Sequence, residues 1–214
     1  MINELMRRRA LLMARQNPYD AEIEYLEGVQ GAYIKTGFVI NSSNWRNLRL
    51  EFDGSLAGGA VSQWRVMGIG YTNPSYYIGM SNDHRVVYGK GNVTDTRTNR
   101  TLSTTEYTSR HLYTYDYKNA VLKFDNTAYN MTLDSSSNIN EEFYLYTWNG
   151  GNYAATFLDG GKLYEFRIYN NDVLVMDMQP VRIGQVGYLY DRVSGQLFGN
   201  DGTGSFILGN DINT

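Results

Sequence analysis

From Ala21 to Leu208 the chain runs in short stretches of alternating polar and apolar residues, each closed by a turn-forming cluster. That rhythm constrains the fold more than any other feature. A period of two puts every second side chain on one face of a strand, as in a half-buried sheet. Ala21-Glu-Ile-Glu-Tyr-Leu-Glu27 alternates, and Gly28 and Gly31 then turn the chain into Ala32-Tyr-Ile-Lys-Thr36. Trp45 to Phe52 alternates and stops at Asp53-Gly54. Similar runs cover Trp64 to Tyr71, Tyr76 to Met80, Arg85 to Tyr88, His111 to Tyr117, Val121 to Phe124, Ala128 to Leu133 and Phe143 to Trp148. The last are Lys162 to Tyr169, Val173 to Met178, Gly187 to Tyr190 and Phe206 to Leu208. Asn149-Gly150-Gly151, Asp159-Gly160-Gly161 and Asn170-Asn171-Asp172 supply the positive φ or Asx turns that reverse a chain. Many short strands at near-regular spacing, with no helical period between them, predict an all-β sandwich or barrel. The 19 Tyr, 22 Gly and 3 Pro agree, since Tyr suits a pleated surface and Gly suits turns and bulges. Residues 89–108 are the most polar stretch and read as an exposed loop or edge hairpin.

Residues 1–16 break the rhythm. MINELMRRRALLMARQ has no Gly or Pro and is built of good helix formers. Ile2, Leu5, Met6, Leu12 and Met13 fall on one side of a helix, with Arg7, Arg8 and Arg15 on the other and Arg9 beside them. Asn17-Pro18 ends it, because the residue before proline is pushed out of the α region. The chain therefore divides into a helical extension at 1–18 and one β-domain at 19–214. The apolar stretch after Arg9 is only Ala10 to Ala14, against roughly 7–15 residues for the apolar core of a signal peptide. The expectation is that this is no secretion signal. No run approaches the about 20 apolar residues that span a bilayer. The net charge of -3 argues against a dedicated nucleic-acid binder, and the absence of cysteine removes disulfides and thiolate metal sites.

The two ends of the β-domain carry a resemblance. Gly161-Lys-Leu-Tyr-Glu-Phe-Arg-Ile-Tyr-Asn170 is followed by Asp172-Val-Leu-Val-Met-Asp177 and Pro180-Val-Arg182. Gly187-Tyr-Leu-Tyr-Asp191, Gly195-Gln-Leu-Phe198 and Gly202-Thr-Gly-Ser-Phe206 complete the block. It resembles the end of concanavalin A-like (LamG-like) jelly-roll domains of gut-bacterial and phage proteins. Glu22 to Glu27 followed by Ala32-Tyr-Ile-Lys-Thr-Gly37 resembles their opening. The resemblance covers about residues 20–210, with the middle matched only by strand rhythm, and it implies a concanavalin A-like jelly-roll sandwich. The arginine-bearing segment ahead of it is similar to proteins of tailed phages and prophages. Read from the residues alone, imperfect alternation from Leu163 to Tyr169 predicts a bulge near Glu165. Asp191 to Gly195 predicts a hairpin connection, and Gly202 and Gly204 mark a tight turn into the last strand.

Four constellations were weighed for chemistry. Glu22 and Glu24 share a strand face and could act as a glycosidase pair. Related jelly-roll glucanases use an E-x-D-x-E cluster on an inner strand, whereas here the middle Asp is missing and Glu27 is out of phase. A solvated strand face is the simpler reading, so no catalytic residue is assigned. His84 and His111 lie far apart, and turn chemistry explains Ser81-Asn-Asp-His84 and Gly199-Asn-Asp-Gly202 without calcium; no metal or other cofactor is assigned. For glycans, Tyr71, Tyr76 and Tyr77 and the group Trp148, Asn152 and Tyr153 combine aromatics with amides on turns. Finally, the helix formed by Ile2, Leu5, Met6, Arg7, Arg8, Arg9, Leu12 and Met13 would expose its apolar stripe unless it packs on something. A protein partner or a second copy of the chain is favoured there over nucleic acid or membrane. The leading expectation is a non-enzymatic virion component, a fibre, decoration or adaptor protein anchored by residues 1–16, with a cell-surface glycan as a further ligand. The alternative is a lectin or adhesin module at a bacterial surface or outside the cell, and a glycoside hydrolase is the remote third.

Overall fold

The computed structural model describes residues 17–56, 64–69, 76–81, 84–89, 96–150, 154–155 and 159–212. The expected helix at 1–16, with all its anchor residues, lies outside the described residues. Among them, the first half of the chain contributes β1 (Ala21–Glu22), β2 (Leu26–Glu27), β3 (Ile34–Asn41), β4 (Leu48–Gly54), β5 (Trp64–Ile69), β6 (Tyr76–Met80), β7 (Arg85–Tyr88) and β8 (Thr96–Thr101). The second half contributes β9 (His111–Asp116), β10 (Val121–Phe124), β11 (Thr127–Asn130), β12 (Asn140–Leu145), β13 (Trp148–Asn149) and β14 (Ala154–Ala155). It closes with β15 (Lys162–Asn170), β16 (Val173–Ile183), β17 (Val186–Asp191), β18 (Gln196–Phe198) and β19 (Ile207–Leu208).

These form two sheets. The first runs β11-β10-β9-β4-β15-β16-β17-β18, with β1 added to β16 and β2 bridging β15 and β19. The second runs β14-β13-β5-β6-β7-β8, with β12 joining β5 to β3. Pairing is antiparallel except where β13 runs parallel to β5. The hydrophobic pattern sets which face of each strand is buried. In β4, Leu48, Leu50 and Phe52 point inward and are fully buried, while Arg49, Glu51 and Asp53 point out. On neighbouring β9, Tyr113 and Tyr115 continue the inner face, followed by Tyr117 just past the strand's end. Aromatic contacts join the layers. Tyr76 of the second sheet stacks on Tyr117 of the first at 3.9 Å, and Phe143 on Phe166 at 5.7 Å and 5°. Each such pair contributes about 0.5–1.5 kcal/mol beyond the area it buries. The architecture is a two-sheet β-sandwich with one continuous aromatic core.

Three departures from the sequence reading have local causes. The opening run is not one strand: β1 pairs with β16 and β2 with β15, and the chain between them is tied to the C-terminal end by an Ile23–Asp211 bridge. Trp45 to Asn47 is a 3-10 turn rather than the start of β4. In the polar stretch 89–108, β8 pairs antiparallel with β7 at the sheet edge, as the edge-hairpin reading expects. It is followed by a short helix, α1 (Thr104–Thr108). Ser103 Oγ accepts from the Glu106 amide at 3.3 Å and Glu106 Oε2 accepts from the Ser103 amide at 2.9 Å, a capping box that satisfies two helix-start donors. Ser103-Thr-Thr-Glu106 carries the signal for it in the sequence itself. By contrast, the register against β4 shifts between Leu163 and Glu165, the bulge expected there, and Asp191 to Gly195 connects β17 to β18.

Candidate functional site

The bulge in β15 decides what the first sheet presents to solvent. A bulge places two consecutive residues where one would stand, and both Tyr164 and Glu165 are partly exposed between the buried Leu163 and Phe166. Beside them on β16 stands Gln179, and at the turn after β17 stands Arg192. Glu22, Ile23 and Glu24 cross in front, with Arg110 at one end and Ile212 at the other. Together with Pro180 they enclose an open cleft of about 470 Å³.

A continuous hydrogen-bond network fixes its floor. Arg192 donates through Nε to Asp177 Oδ2 at 2.9 Å and through Nη2 to Asp177 Oδ1 at 2.6 Å, and it also reaches Glu165. Its Nη1 donates to Gln179 Oε1 at 3.1 Å. With its carbonyl turned to Arg192, the Gln179 amide nitrogen faces the other way and donates to Glu22 Oε1 at 3.1 Å and Tyr19 Oη at 3.2 Å. The Tyr19 hydroxyl donates to the same Glu22 oxygen at 2.9 Å. Burial, with the hydrogen bond to Glu22, pushes the Tyr19 hydroxyl up to about 12. The hydrogen bonds to Asp177 hold the Arg192 guanidinium well above its ordinary value, with Glu165 adding to the effect. Deeper in the face, Arg167 bridges Glu165 at 2.6 Å and Asp177 at 3.1 Å.

The aromatic wall is Tyr164. The Arg110 guanidinium lies 4.1 Å over its ring and forks onto Asp53 with two bonds of 2.7 Å. Tyr25 meets Tyr164 edge-on at 5.5 Å. Glu24 reaches the cleft with one oxygen accepting from Asn210 Nδ2 at 3.3 Å. Chemically, the cleft offers fixed hydrogen-bond acceptors beside the Tyr164 ring and the exposed Ile212, with the buried Ile23 and Pro180 behind them, a composition that suits a polyol.

Sequence reasoning weighed two of these residues, Glu22 and Glu24, and set them aside as a solvated strand face. Their neighbour Glu27 turns away and pairs with Lys162 at 3.6 Å. It missed Arg110, Tyr164, Glu165, Gln179 and Arg192, which come together only through strand pairing; the Glu165 bulge was the one available sign. Of the glycan residues it named, the described ones stand elsewhere. Tyr76 and Tyr77 lie in β6, 0% and 1% exposed, and Trp148 lies in β13, 2% exposed. They are packed in strands rather than displayed on turns, so no ring face is open to a sugar. Tyr71, Asn152 and Tyr153 lie outside the described residues. In the Gly199 to Gly202 turn, Asn200 Oδ1 accepts from the Tyr33 and Gly202 amides at 3.1 and 2.9 Å, and Asp201 Oδ2 from the Lys35 amide at 3.1 Å. Those oxygens serve the turn.

Neither a family model nor a curated protein sequence matches the chain. Among solved structures, a candidate carbohydrate-binding protein from Bacteroides ovatus superposes with a TM-score of 0.55 at 11% identity, covering 90% of this chain. The likeness is one of fold. It supports the two-sheet β-sandwich, and the chain spans 61% of that protein's length. A variant of the NanB sialidase from Streptococcus pneumoniae aligns over 90% of this chain and 40% of its own, with a TM-score of 0.43 at 10% identity, too low to carry an argument.

Proposed function

We propose that this sandwich is a concanavalin A-like jelly roll that binds a glycan, without turning it over, in the cleft between Glu22 and Arg192. The observation that carries the reading is the Tyr19–Glu22–Gln179–Arg192 chain. It orients a carboxylate beside an aromatic wall before any ligand arrives, and preorganised acceptors of this kind favour binding by removing ordering cost. The fold likeness to a candidate carbohydrate-binding protein supports it. The binding-only part rests on how the carboxylates are engaged: Glu165 is tied to Arg192 and Arg167, and Glu22 is held by two neutral donors. The apolar stripe of residues 1–16 supports a display role, in a virion or at a surface, with that segment docked on a protein partner and the sandwich projecting.

A glycan array read against Glu22→Ala and Gln179→Ala tests the proposal. Binding that falls at least about ten-fold in both variants, as expected on losing a charged or oriented hydrogen-bond partner, supports the cleft. Binding unchanged in both refutes it, and release of reducing sugar from any bound glycan refutes the non-enzymatic part.

A further inference from the structure

We propose that the cleft selects an amino sugar carrying a free, protonated amine over its N-acetylated form and over acidic sugars, an inference that rests on the glycan reading above. The charges around the cleft do not cancel evenly. Its two guanidiniums are each answered from behind: Arg110 by Asp53 through two bonds of 2.7 Å, Arg192 by Asp177 through bonds of 2.9 and 2.6 Å. Glu165 is answered by Arg192 and by Arg167 at 2.6 Å.

Glu22 and Glu24 are left over. Among the described residues neither has a cationic partner. Glu22 is held through Oε1 alone, by the Tyr19 hydroxyl and the Gln179 amide, so it is oriented without being neutralised. Glu24 is held through Oε2 by the Asn210 amide. Glu22 Oε2 and Glu24 Oε1 accept no hydrogen bond from the described residues. Two carboxylates on one cleft, each with an oxygen unengaged, match a compact cation that brings several donors, and an ammonium brings three. Its bonds to carboxylates are charge-assisted and stronger than those of a neutral hydroxyl. At the cleft's end Ile212, 47% exposed, offers an apolar contact for the C–H face of a pyranose ring. N-acetylation removes the charge and the fit, and a uronic acid brings a like charge against both carboxylates.

The test is calorimetric titration of the full chain, at mildly acidic pH, with three tetramers: glucosamine, N-acetylglucosamine and galacturonic acid. The expected order of affinity is glucosamine, then N-acetylglucosamine, then galacturonic acid, with the gap narrowing at high salt. Glu22→Gln and Glu24→Gln should each weaken the glucosamine tetramer about three-fold, the effect of removing one partly screened charge. The N-acetylated tetramer should bind them as it binds the native chain. Matching melting curves show that the variants are folded. Galacturonate binding tightest, or glucosamine affinity untouched by both substitutions, overturns the amine preference while leaving a glycan site standing. Ethanolamine binding as tightly as glucosamine overturns it by showing that an amine alone suffices. Failure of all three tetramers overturns the glycan reading and this inference together.

Discussion

Raising the pH should unfold this protein in a sharp step rather than titrate it gradually. Five tyrosines of the inter-sheet core, Tyr76, Tyr113, Tyr115, Tyr117 and Tyr146, are 0–1% exposed, and burial lifts each hydroxyl well above its ordinary value. In the folded state each keeps its proton, whereas in the unfolded chain each loses it near pH 10. The unfolded state therefore binds fewer protons above that pH and is favoured as pH rises, so the contribution is complete below about pH 10 and disappears above it. One such group loses about 1.4 kcal/mol for each pH unit beyond 10, so five together lose roughly 7 kcal/mol by about pH 11. That is comparable with the whole stability of a domain, about 5–15 kcal/mol. Far-ultraviolet circular dichroism and tyrosinate absorbance, followed together through an alkaline titration, should show the buried tyrosines' share of the absorbance appearing in the same narrow interval in which the sheet signal is lost. If the full tyrosinate signal develops near pH 10 with the sheet signal intact, the tyrosines are accessible to solvent and the packing argument is refuted.

Three further outcomes follow from the same structure. The Tyr115 hydroxyl is buried with no hydrogen-bond partner among the described residues, so Tyr115→Phe should be neutral or stabilise by up to about 1 kcal/mol, a rise of about 2–4 °C in melting temperature; a loss of that size would show that the hydroxyl is bonded. A Cβ at Gly202 would stand 1.8 Å from the Gly31 carbonyl oxygen, so Gly202→Ala should cost more than about 3 kcal/mol, read as a collapse of the chemical-denaturation midpoint, and near-native stability would refute that close approach. Deleting residues 1–16 should leave the sandwich folded, since a continuous core already forms among the described residues, while abolishing particle incorporation or self-association, measured by circular dichroism melting and by sedimentation; an unfolded truncation refutes the anchor reading, and a folded one that assembles normally makes the segment a passive tail.

Alternation alone was enough to place the polypeptide in the all-β class, because a period of two is a local property that any pleated strand must show. For the same reason the β4 face of Leu48, Leu50 and Phe52 and the bulge at Glu165 were legible: each is written within a few consecutive residues. The short helix at Thr104 was legible too, through its capping box, and was missed because a polar stretch reads first as loop. What the sequence could not decide is which strands lie side by side. Tyr76, Tyr77 and Trp148 lie where strand runs meet turn clusters and look displayed, yet the second sheet buries them, since a tyrosine or tryptophan serves equally well as core or as surface. The cleft is the reverse case. Tyr19 and Glu22 meet Gln179 and Arg192 from far along the chain, and only the pairing of β1 with β16, and of β16 with β17, brings them within hydrogen-bond distance. Secondary structure follows from neighbours in sequence; the site follows from strand order, which is set by long-range packing that no local pattern encodes.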